Sequence, residues 1–468
     1  MTTGDDCEAV LQFEGGTLVA PVLPPGLTVD DFKGLLVKDH RTGTFRATAM
    51  DYRDLILGAR ARGSPFRDEA KRFEPLPLAL LRTIRPHPHQ VAALAAWQAQ
   101  DARGIVELPT GAGKTVLGLL AMVAVQRPTL VVVPTLDLVQ QWQRVLEDNL
   151  DLHVGVLAGG TSDRQPVTVT TYDSAALQTE FHGNYFGFLI CDECHHLPTA
   201  RYRFIAEGSV APYRLGLTAT LARSDGGERL CEALLGPLAH RTEIHTLGAA
   251  FLAPYDVKSI EVALSADEQA RHDVARERYL AFVRGSGIAL GSPQGWVQFL
   301  ALSQRTEEGR AAVRAYREQR RLAWRAESKL QVLFELLVEH REDRILVFTD
   351  DNETAYGIAE RFLVPALTHQ TALSERQALL KAFGAGELPV LVTSRVLNEG
   401  VDVPDARVGI VLSGTGSVRE HVQRLGRILR ARPGKRAVLY EVTTRGTAES
   451  KTRERRRQHR AYQREDGC

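Results

Sequence analysis

Residues 105–125 read IVELPTGAGKTVLGLLAMVAV and are the most informative stretch of the sequence. A short apolar run precedes a glycine-rich turn, and an apolar stretch of helical character follows it. Gly111 and Gly113 allow a tight turn that points backbone N–H groups inward, and the N-terminus of the following helix adds a positive potential. Lys114 can then reach the β- and γ-phosphates of a nucleotide, and the Thr115 hydroxyl can bind Mg²⁺. The stretch predicts a phosphate-binding loop between a strand and a helix.

Both halves of the chain repeat the alternation of short β-branched runs and helix-like stretches that surrounds this loop. Near-continuous apolar runs, rather than strict alternation, are typical of strands that are buried on both faces of a parallel sheet. The sequence therefore predicts an α/β fold with two tandem parallel-sheet domains. The runs lie at 105–108, 129–133, 167–171, 188–191 and 215–218 in the first half, and at 344–348, 390–393, 408–412 and 437–442 in the second.

Three other regions do not show this alternation of strand-like and helix-like stretches. A small N-terminal module is broken by Gly and Pro, a mostly helical insert has two arms that meet at a Gly/Ser-rich stretch (285–295), and the C-terminus is highly charged and basic. The predicted boundaries are 1–75 for the N-terminal module, 76–245 for the first ATP-binding domain, 246–445 for the second domain with the insert at 265–327, and 446–468 for the tail.

The composition is that of an ordinary globular protein. Of the 468 residues, 44% are hydrophobic and 25% are charged. The longest apolar runs fall far short of the ~20 residues that span a bilayer, and five scattered cysteines are too few for a disulfide framework. We therefore expect a cytoplasmic protein with no membrane segment. Because the net charge is only +1, a polyanionic partner must be inferred from local charge.

A pair of adjacent carboxylates ends one of the predicted strands. Residues 188–196 read FLICDECHH, so Asp192 and Glu193 come at the carboxyl end of an apolar run, the sheet edge at which ligands bind. Asp192 can hold Mg²⁺, and Glu193 can orient and deprotonate an attacking water. Because the pair follows a phosphate-binding loop, it predicts nucleotide hydrolysis.

The same segment has the spacing of a zinc site. Cys191 and Cys194 are followed by His195 and His196, and all four are residue types that bind zinc. However, Cys191 is expected inside a buried strand, and the intervening carboxylates already have a role. We therefore favour cysteines that pack in the core.

Two arginines follow in the second α/β half. Arg427 and Arg430, within QRLGRILR (423–430), are three residues apart and share one helical face. Paired guanidinium groups opposite a phosphate-binding loop stabilise a transferring γ-phosphoryl group. A solvated basic helix face is the alternative for this string by itself.

Together these segments resemble the motif set of superfamily 2 helicases, and more narrowly the archaeal and bacterial relatives of the XPB family of repair and transcription helicases. Leu108 stands where the general Walker pattern has Gly, which matches the T-G-x-G-K-T version of helicases. The motifs are TIRPHPHQ (83–90), LPTGAGKT (108–115), VVVPTLDLVQQW (131–142), TVTTYDS (168–174), DECHH (192–196), GLTAT (216–220), VLVTSRVLNEGVDVP (390–404) and QRLGRILR (423–430).

The resemblance implies a 3′-to-5′ DNA helicase with two RecA-like domains that uses ATP and Mg²⁺ in DNA (nucleotide excision) repair. The N-terminal module, with FRATAMDYRDLI (45–56), is similar to the family's damage-recognition domain, and the insert is similar to its DNA-gripping thumb. The residue roles that the resemblance implies are adenine contacts by Arg85 and Gln90, coupling of hydrolysis to strand contact by Thr218 and Thr220, positions at the interdomain cleft for Glu399, Gly400 and Asp402, and completion of the ATP site by Gln423, Arg427 and Arg430.

One motif departs from the family. The family carries Arg-Glu-Asp after its TAT motif and is thought to open the duplex with it, whereas this chain has Arg223, Ser224 and Asp225. The missing carboxylate leaves three hypotheses open: a DNA-stimulated ATPase that separates strands, a duplex translocase that does not unwind, and a DNA-binding scaffold with an idle nucleotide site. A tolerant, solvated position 224 is the alternative to a functional change.

The insert supplies the predicted DNA-binding surface. Arginines at spacings of three and four form one basic stripe on a helix, which suits phosphates because it neutralises charge without reading sequence. A plain solvated face is the alternative. We expect single-stranded, duplex or forked DNA as the partner, and a nuclease partner that cuts in trans because no nuclease cluster of acids stands out. The stripe comprises Arg310, Arg314, Arg317, Arg320 or Arg321, and Arg325.

Overall fold

The computed structural model describes residues 9–222, 226–242, 255–290, 295–394, 406–413, 437–447 and 449. The chain divides into two compact units, residues 1–243 and 244–468. Several predicted functional residues lie outside the described ranges and stay predictions, namely Arg223, Ser224, Asp225, Glu399, Gly400, Asp402, Gln423, Arg427, Arg430 and most of the basic tail.

The first unit begins with a small sheet that has its own apolar core. Its described strands follow the order β3-β4-β2-β1-β5, and every pair except the parallel β1–β5 pair is antiparallel. Leu11, Leu18 and Leu55 are fully buried between this sheet and its helix. The elements are β1 (Val10–Glu14), β2 (Thr17–Ala20), β3 (Val37–Lys38), β4 (Phe45–Thr48), α1 (Tyr52–Ala61) and β5 (Arg67–Asp68).

A larger sheet follows, with helices between its strands. Its order in the described residues is β13-β6-β12-β11-β7-β10-β8-β9, parallel throughout except for the β8–β9 hairpin. The elements are α2 (Pro88–Ala99), β6 (Arg103–Glu107), α3 (Lys114–Val125), β7 (Thr129–Val133), α4 (Leu136–Asn149), β8 (Gly155–Ala158), β9 (Thr161–Asp163), β10 (Val167–Thr171), α5 (Tyr172–His182), β11 (Phe188–Asp192), α6 (Phe204–Glu207), β12 (Tyr213–Thr218), α7 (Glu228–Leu235) and β13 (Leu238–Arg241).

The register of this sheet gathers polar residues at one edge. Asp192 at the end of β11 lies beside Leu217 of β12, and Thr218 lies beside Glu107 at the end of β6. All three strands run parallel, so their carboxyl ends meet, and the loop after β6 opens at the same edge. This is the position at which open parallel sheets bind ligands.

The small sheet contacts a helix and a loop that flank the larger sheet. The ring of Phe204 lies so close to Gly16, in the β1–β2 turn, that a Cβ atom there would be 2.5 Å from it. The Asn184 amide donates to the Ala70 carbonyl at 2.8 Å, and the Arg72 N–H donates to the Asn184 carbonyl at 2.8 Å. These contacts join the small N-terminal sheet to the surroundings of the larger sheet within one unit.

The second unit has a parallel sheet of described order β14-β19-β18-β15-β17-β16 and a helical insert between β14 and β15. Its elements are β14 (Tyr255–Val262), α8 (Ala266–Gly285), α9 (Gly295–Ser303), α10 (Glu307–Trp324), α11 (Glu327–Glu339), β15 (Ile345–Phe348), α12 (Asn352–Phe362), β16 (Ala366–Leu367), α13 (Leu373–Ala385), β17 (Val390–Thr393), β18 (Val408–Val411) and β19 (Ala437–Thr444).

The predicted α/β fold with two parallel sheets is confirmed, and strands 129–133, 167–171 and 390–393 have the predicted bounds. The insert differs from two simple arms because its second arm is divided into α9 and α10. The Thr306 hydroxyl accepts from the Gly309 N–H at 3.0 Å and so begins α10 afresh, while Phe299 buries the apolar face of α9. No described helix has the length and hydropathy that a bilayer crossing requires.

Candidate active site

The predicted phosphate-binding loop lies between β6 and α3. Gly111 and Gly113 have φ angles of +85° and +81°, in the left-handed region that favours glycine. Lys114 and Thr115 are the first residues of α3, which begins directly after the loop. The Leu108 N–H donates to the Thr218 carbonyl at 2.9 Å and ties the loop to the adjacent strand. The geometry is that of an anion site at a helix N-terminus.

Gln90 holds this loop in place from α2. Its side chain is 2% exposed, and its Oε1 accepts from the His87 N–H at 2.9 Å in a capping box that starts the helix. Its Nε2 donates to the carbonyls of Ala112 and Gly113 at 3.3 and 3.2 Å. A Cβ atom at position 113 would collide with this amide nitrogen. The adenine contact implied for Gln90 stays a prediction, as does that of the exposed Arg85.

An ion pair joins the loop to the carboxylates. Lys114 Nζ lies 3.1 Å from Glu193 Oε1, and the two side chains are 11% and 8% exposed. Glu193 has a φ of +49°, a conformation that non-glycine residues rarely adopt. This backbone turn follows the end of β11, at the residue whose carboxylate lies beside the lysine. Backbone strain of this kind is concentrated at functional sites.

The neighbouring Asp192 is buried and oriented by two donors. Its Oδ2 accepts from Trp142 Nε1 at 2.9 Å, and its Oδ1 accepts from the Glu193 N–H at 3.0 Å. Burial, reinforced by the Glu193 charge, raises the pKa of Asp192 to about 6 although Lys114 and Trp142 act in the opposite direction. Burial raises the free energy of the ionised carboxylate, and a bound cation would lower it again. Asp192 is therefore well suited to bind a cation.

Two aromatic residues that the sequence did not single out support Asp192. Trp142 of α4 reaches over α3 because Gly118 leaves room: a Cβ atom at 118 would lie 2.5 Å from the Trp142 ring. The Tyr172 hydroxyl donates to the Asp192 carbonyl at 3.0 Å. Trp142 ends the quoted motif at 131–142, and the sequence signal for its contact was that a buried tryptophan must find an acceptor for its N–H.

A chain of polar contacts runs from the ion pair to the TAT motif. His195 Nδ1 lies 3.5 Å from Glu193 Oε2 and 3.1 Å from the Thr218 hydroxyl. That hydroxyl in turn lies 3.0 Å from the Thr220 carbonyl and accepts from the Thr220 N–H at 3.2 Å. The predicted coupling residues of the first unit are therefore adjacent to the predicted catalytic ones.

The cysteines of this region belong to the apolar core. Cys191, Cys194 and Cys231 are fully buried, and the Cys231 thiol donates to the Cys194 carbonyl at 3.2 Å. Burial raises the pKa of the Cys191 thiol far above its ordinary value, which disfavours a metal-binding thiolate. Within the described ranges, no three His, Cys, Asp or Glu side chains are grouped to hold a metal ion.

The predicted arginine stripe on α10 is divided between two roles. Arg310, Arg314 and Arg317 are exposed and form no ion pair with described residues, whereas Arg321 pairs with Glu318 at 2.7 Å. Arg320 and Arg325 instead join the insert to the segment that runs from the end of β15 into α12. Their partners are Asp350 at 3.0 Å and Glu353 at 2.6 Å respectively.

Three family models match the chain. Residues 83–223 match "Type III restriction enzyme, res subunit", residues 328–432 match "Helicase conserved C-terminal domain", and residues 11–70 match "Xeroderma pigmentosum group B helicase damage recognition domain". The last match covers the small N-terminal sheet, and the first covers the phosphate-binding loop and both carboxylates.

Among curated relatives, the "DNA 3′-5′ translocase XPB2" of Sulfurisphaera tokodaii is 38% identical over 91% of this chain and 99% of its own length. The "DNA 3′-5′ helicase XPB" of Mycobacterium tuberculosis is 30% identical over 74% of this chain and 58% of its own length. The solved helicase domain of Hef from Pyrococcus furiosus superposes with a TM-score of 0.54 at 17% identity, over 79% of this chain and 98% of that domain. At that identity, the superposition shows a shared fold alone.

Proposed function

Because this chain belongs to the XPB family of DNA helicases and translocases, we propose that it is an ATP-driven 3′-to-5′ DNA helicase that acts in nucleotide excision repair. The observation that carries the proposal is the 3.1 Å pair between Lys114 Nζ and Glu193 Oε1 at the mouth of the glycine-rich loop. It supports a site in which Lys114 would bind phosphates and Glu193 would accept a proton from water, as ATP hydrolysis requires.

The residues present fit ATP and Mg²⁺. The glycines at 111 and 113 turn the backbone through the left-handed region, and α3 begins directly after the loop, so that its N-terminus can bind a phosphate. The Thr115 hydroxyl and the buried Asp192 carboxylate are oxygen ligands of the kind that Mg²⁺ prefers. When bound, Mg²⁺ neutralises charge that develops on the phosphate oxygens.

The side chains of the first unit then have separate tasks. Lys114 binds the terminal phosphates and leaves Glu193 free to orient a water and take its proton. His195 contacts both the Glu193 carboxylate and the Thr218 hydroxyl, and this supports a route by which a change at the phosphate would reach the TAT motif. We expect Arg427 and Arg430 of the second domain to complete the ATP site. The protein would then bind DNA with different affinities in its different nucleotide states, and this difference would drive movement on DNA.

Duplex translocation with little strand separation is the second candidate. It is favoured by Ser224, which replaces the family's carboxylate in the Arg-Glu-Asp motif. In either case we propose a DNA-associated protein of the cytoplasm that works with a nuclease acting in trans. Copurification from native cells without an associated nuclease activity would contradict that partner.

Paired assays with one preparation separate the two candidates. A forked duplex reports strand separation, and a triplex on a blunt duplex reports translocation, each followed with ATP and with the Glu193→Gln variant as the inactive control. A helicase opens the fork and displaces the triplex, whereas a translocase displaces only the triplex. If neither substrate changes while the protein hydrolyses ATP, the motor proposal is wrong.

A further inference from the structure

A groove at the base of the helical insert is not used by the ATP site. It lies between α9, α10 and the start of α12 in the second unit and has a volume of about 400 Å³. That volume is within the ~300–1,000 Å³ range of small-ligand sites. We call it the α9–α10 groove, and its principal side chains are Trp296, Tyr316, Arg317, Arg320, Arg321 and Trp324.

One wall of the groove is an exposed aromatic platform. Trp296 is 39% exposed, although a tryptophan is a large apolar side chain. Its ring is held in place by Tyr316, at a centroid distance of 4.9 Å, and by the fully buried Phe299, at 5.2 Å. The platform is thus ordered before any ligand binds, which lowers the entropy cost of binding.

The other wall carries a stacked arginine. The Arg320 guanidinium lies 3.9 Å from the centre of the Trp324 ring, and the buried Asp350 carboxylate holds it at 3.0 Å. Aromatic rings and guanidinium planes are the surfaces on which nucleobases stack. The nearby acids are already engaged, because Glu353 pairs with Arg325 and Asp351 accepts from the Thr354 N–H at 2.8 Å.

The basic face of α10 leads into the groove. Arg310, Arg314 and Arg317 follow one another at helical spacing, all exposed, and Arg317 also lines the groove. A polyanion that runs along this face would arrive at the aromatic platform. The charge and the stacking surface together favour a nucleic acid strand over a protein segment.

We propose that the α9–α10 groove binds an unpaired base of single-stranded DNA on Trp296, while the exposed arginines of α10 hold the phosphates that flank it. The proposal rests on the proposed function and adds a specific contact to it. A paired base in a duplex is stacked on its neighbours and cannot enter the groove, so the site discriminates single from double strands.

Tryptophan emission tests the proposal in the full chain. Of the four tryptophans, Trp97 and Trp142 are buried at 1% and 0% exposure, so quenching by added DNA reports on Trp296 and Trp324. The protein is titrated with an oligothymidine strand, and with a blunt duplex of equal length, without ATP. We expect saturable quenching by the single strand, at the same midpoint as binding followed by a label on the DNA, and none by the duplex.

Variants of Trp296 and Arg317 test which side chain contacts the base and which contacts a phosphate. Trp296→Ala is expected to weaken single-strand binding about tenfold, in the range of base–aromatic stacking, with an unchanged salt dependence. Trp296→Phe should recover most of the affinity. Arg317→Gln should weaken binding and flatten the logarithmic salt slope by about 0.7, because one phosphate contact is lost. Phe334→Ala is the matched control, since it removes another aromatic of this unit that is 51% exposed.

Equal single-strand affinity in Trp296→Ala and Phe334→Ala would overturn the groove proposal. Quenching by an unrelated basic or proline-rich peptide but not by DNA would also overturn it and would identify a protein-docking surface. Neither result touches the proposed function if DNA still stimulates ATP turnover. Loss of that stimulation in the unmodified chain would instead contradict the proposed function itself.

Discussion

Lys114 and Glu193 neutralise each other: Nζ of the first lies 3.1 Å from Oε1 of the second, and both side chains are nearly buried. In the proposed mechanism, a phosphate that binds the lysine releases the carboxylate, which then acts on water. The proposal thus links activation of the base to the arrival of the substrate. Because His195 also contacts Glu193 and Thr218, the proposed mechanism has the same event reach the TAT motif.

The pH dependence of ATP turnover should reflect Asp192. The pKa of this carboxyl is raised to about 6 by burial and by Glu193, so protonation below that pH removes a metal ligand. We expect turnover to fall as the pH drops through about 6, and the acid limb to move to lower pH as Mg²⁺ is raised, because metal and proton compete. An acid limb that does not respond to Mg²⁺ would contradict this role.

Trp142→Phe should alter the metal dependence. The change keeps an aromatic ring but removes the N–H that binds Asp192 Oδ2 at 2.9 Å. We expect a higher Mg²⁺ concentration for half-maximal turnover, and an acid limb moved up by about one pH unit. Trp97→Phe is the matched control, because it removes a buried N–H that bonds to the Arg214 carbonyl instead. Identical pH profiles for the two variants would rule out positioning by Trp142.

Gly118→Ala should destabilise the protein although alanine favours helices. The new Cβ atom would lie 2.5 Å from the Trp142 ring, and overpacking of this kind costs about 1–3 kcal/mol. Gly58→Ala, also within a helix, would meet only the Arg62 side chain at 3.7 Å and should be neutral or stabilising by up to ~1 kcal/mol. Thermal unfolding measures both. Equal melting temperatures for the two variants would argue against tight packing at 118.

Thr218→Val should separate hydrolysis from movement. Valine has a similar shape but lacks the hydroxyl that contacts His195 and Thr220. We expect turnover to persist while triplex displacement per ATP falls several-fold. Thr170→Val removes a buried strand hydroxyl that donates to the Leu157 carbonyl at 2.6 Å and serves as the control. An unchanged ratio of displacement to turnover would exclude Thr218 from coupling.

The parts of the site that are local in sequence were predictable. The glycine-rich loop and the Asp192–Glu193 pair each lie within a few residues at the end of a strand, and the strand at 129–133 has the predicted bounds. The Trp142 contact with Asp192 was not predictable, since it joins residues 50 positions apart through the packing of α4 over α3.

The contacts of the α10 arginines were also not predictable from the sequence. Their spacing predicts a basic helix surface, but the side of the helix that faces the sheet is set by tertiary packing. Arg320 therefore pairs with Asp350, 30 positions away, while Arg314 and Arg317 remain exposed. Spacing alone predicted one DNA-binding stripe, with a plain solvated face as the alternative, and did not distinguish Arg320 from Arg321.

ATP turnover by Glu193→Gln, with and without single-stranded DNA, tests the central claim most directly. Glutamine keeps the size of the side chain but cannot accept the proton of water, and it no longer neutralises Lys114. We predict turnover reduced by at least about 100-fold in either condition, with nucleotide binding as tight as or tighter than in the unmodified chain. Turnover near that of the unmodified chain would show that Glu193 is not the base and would contradict the mechanism.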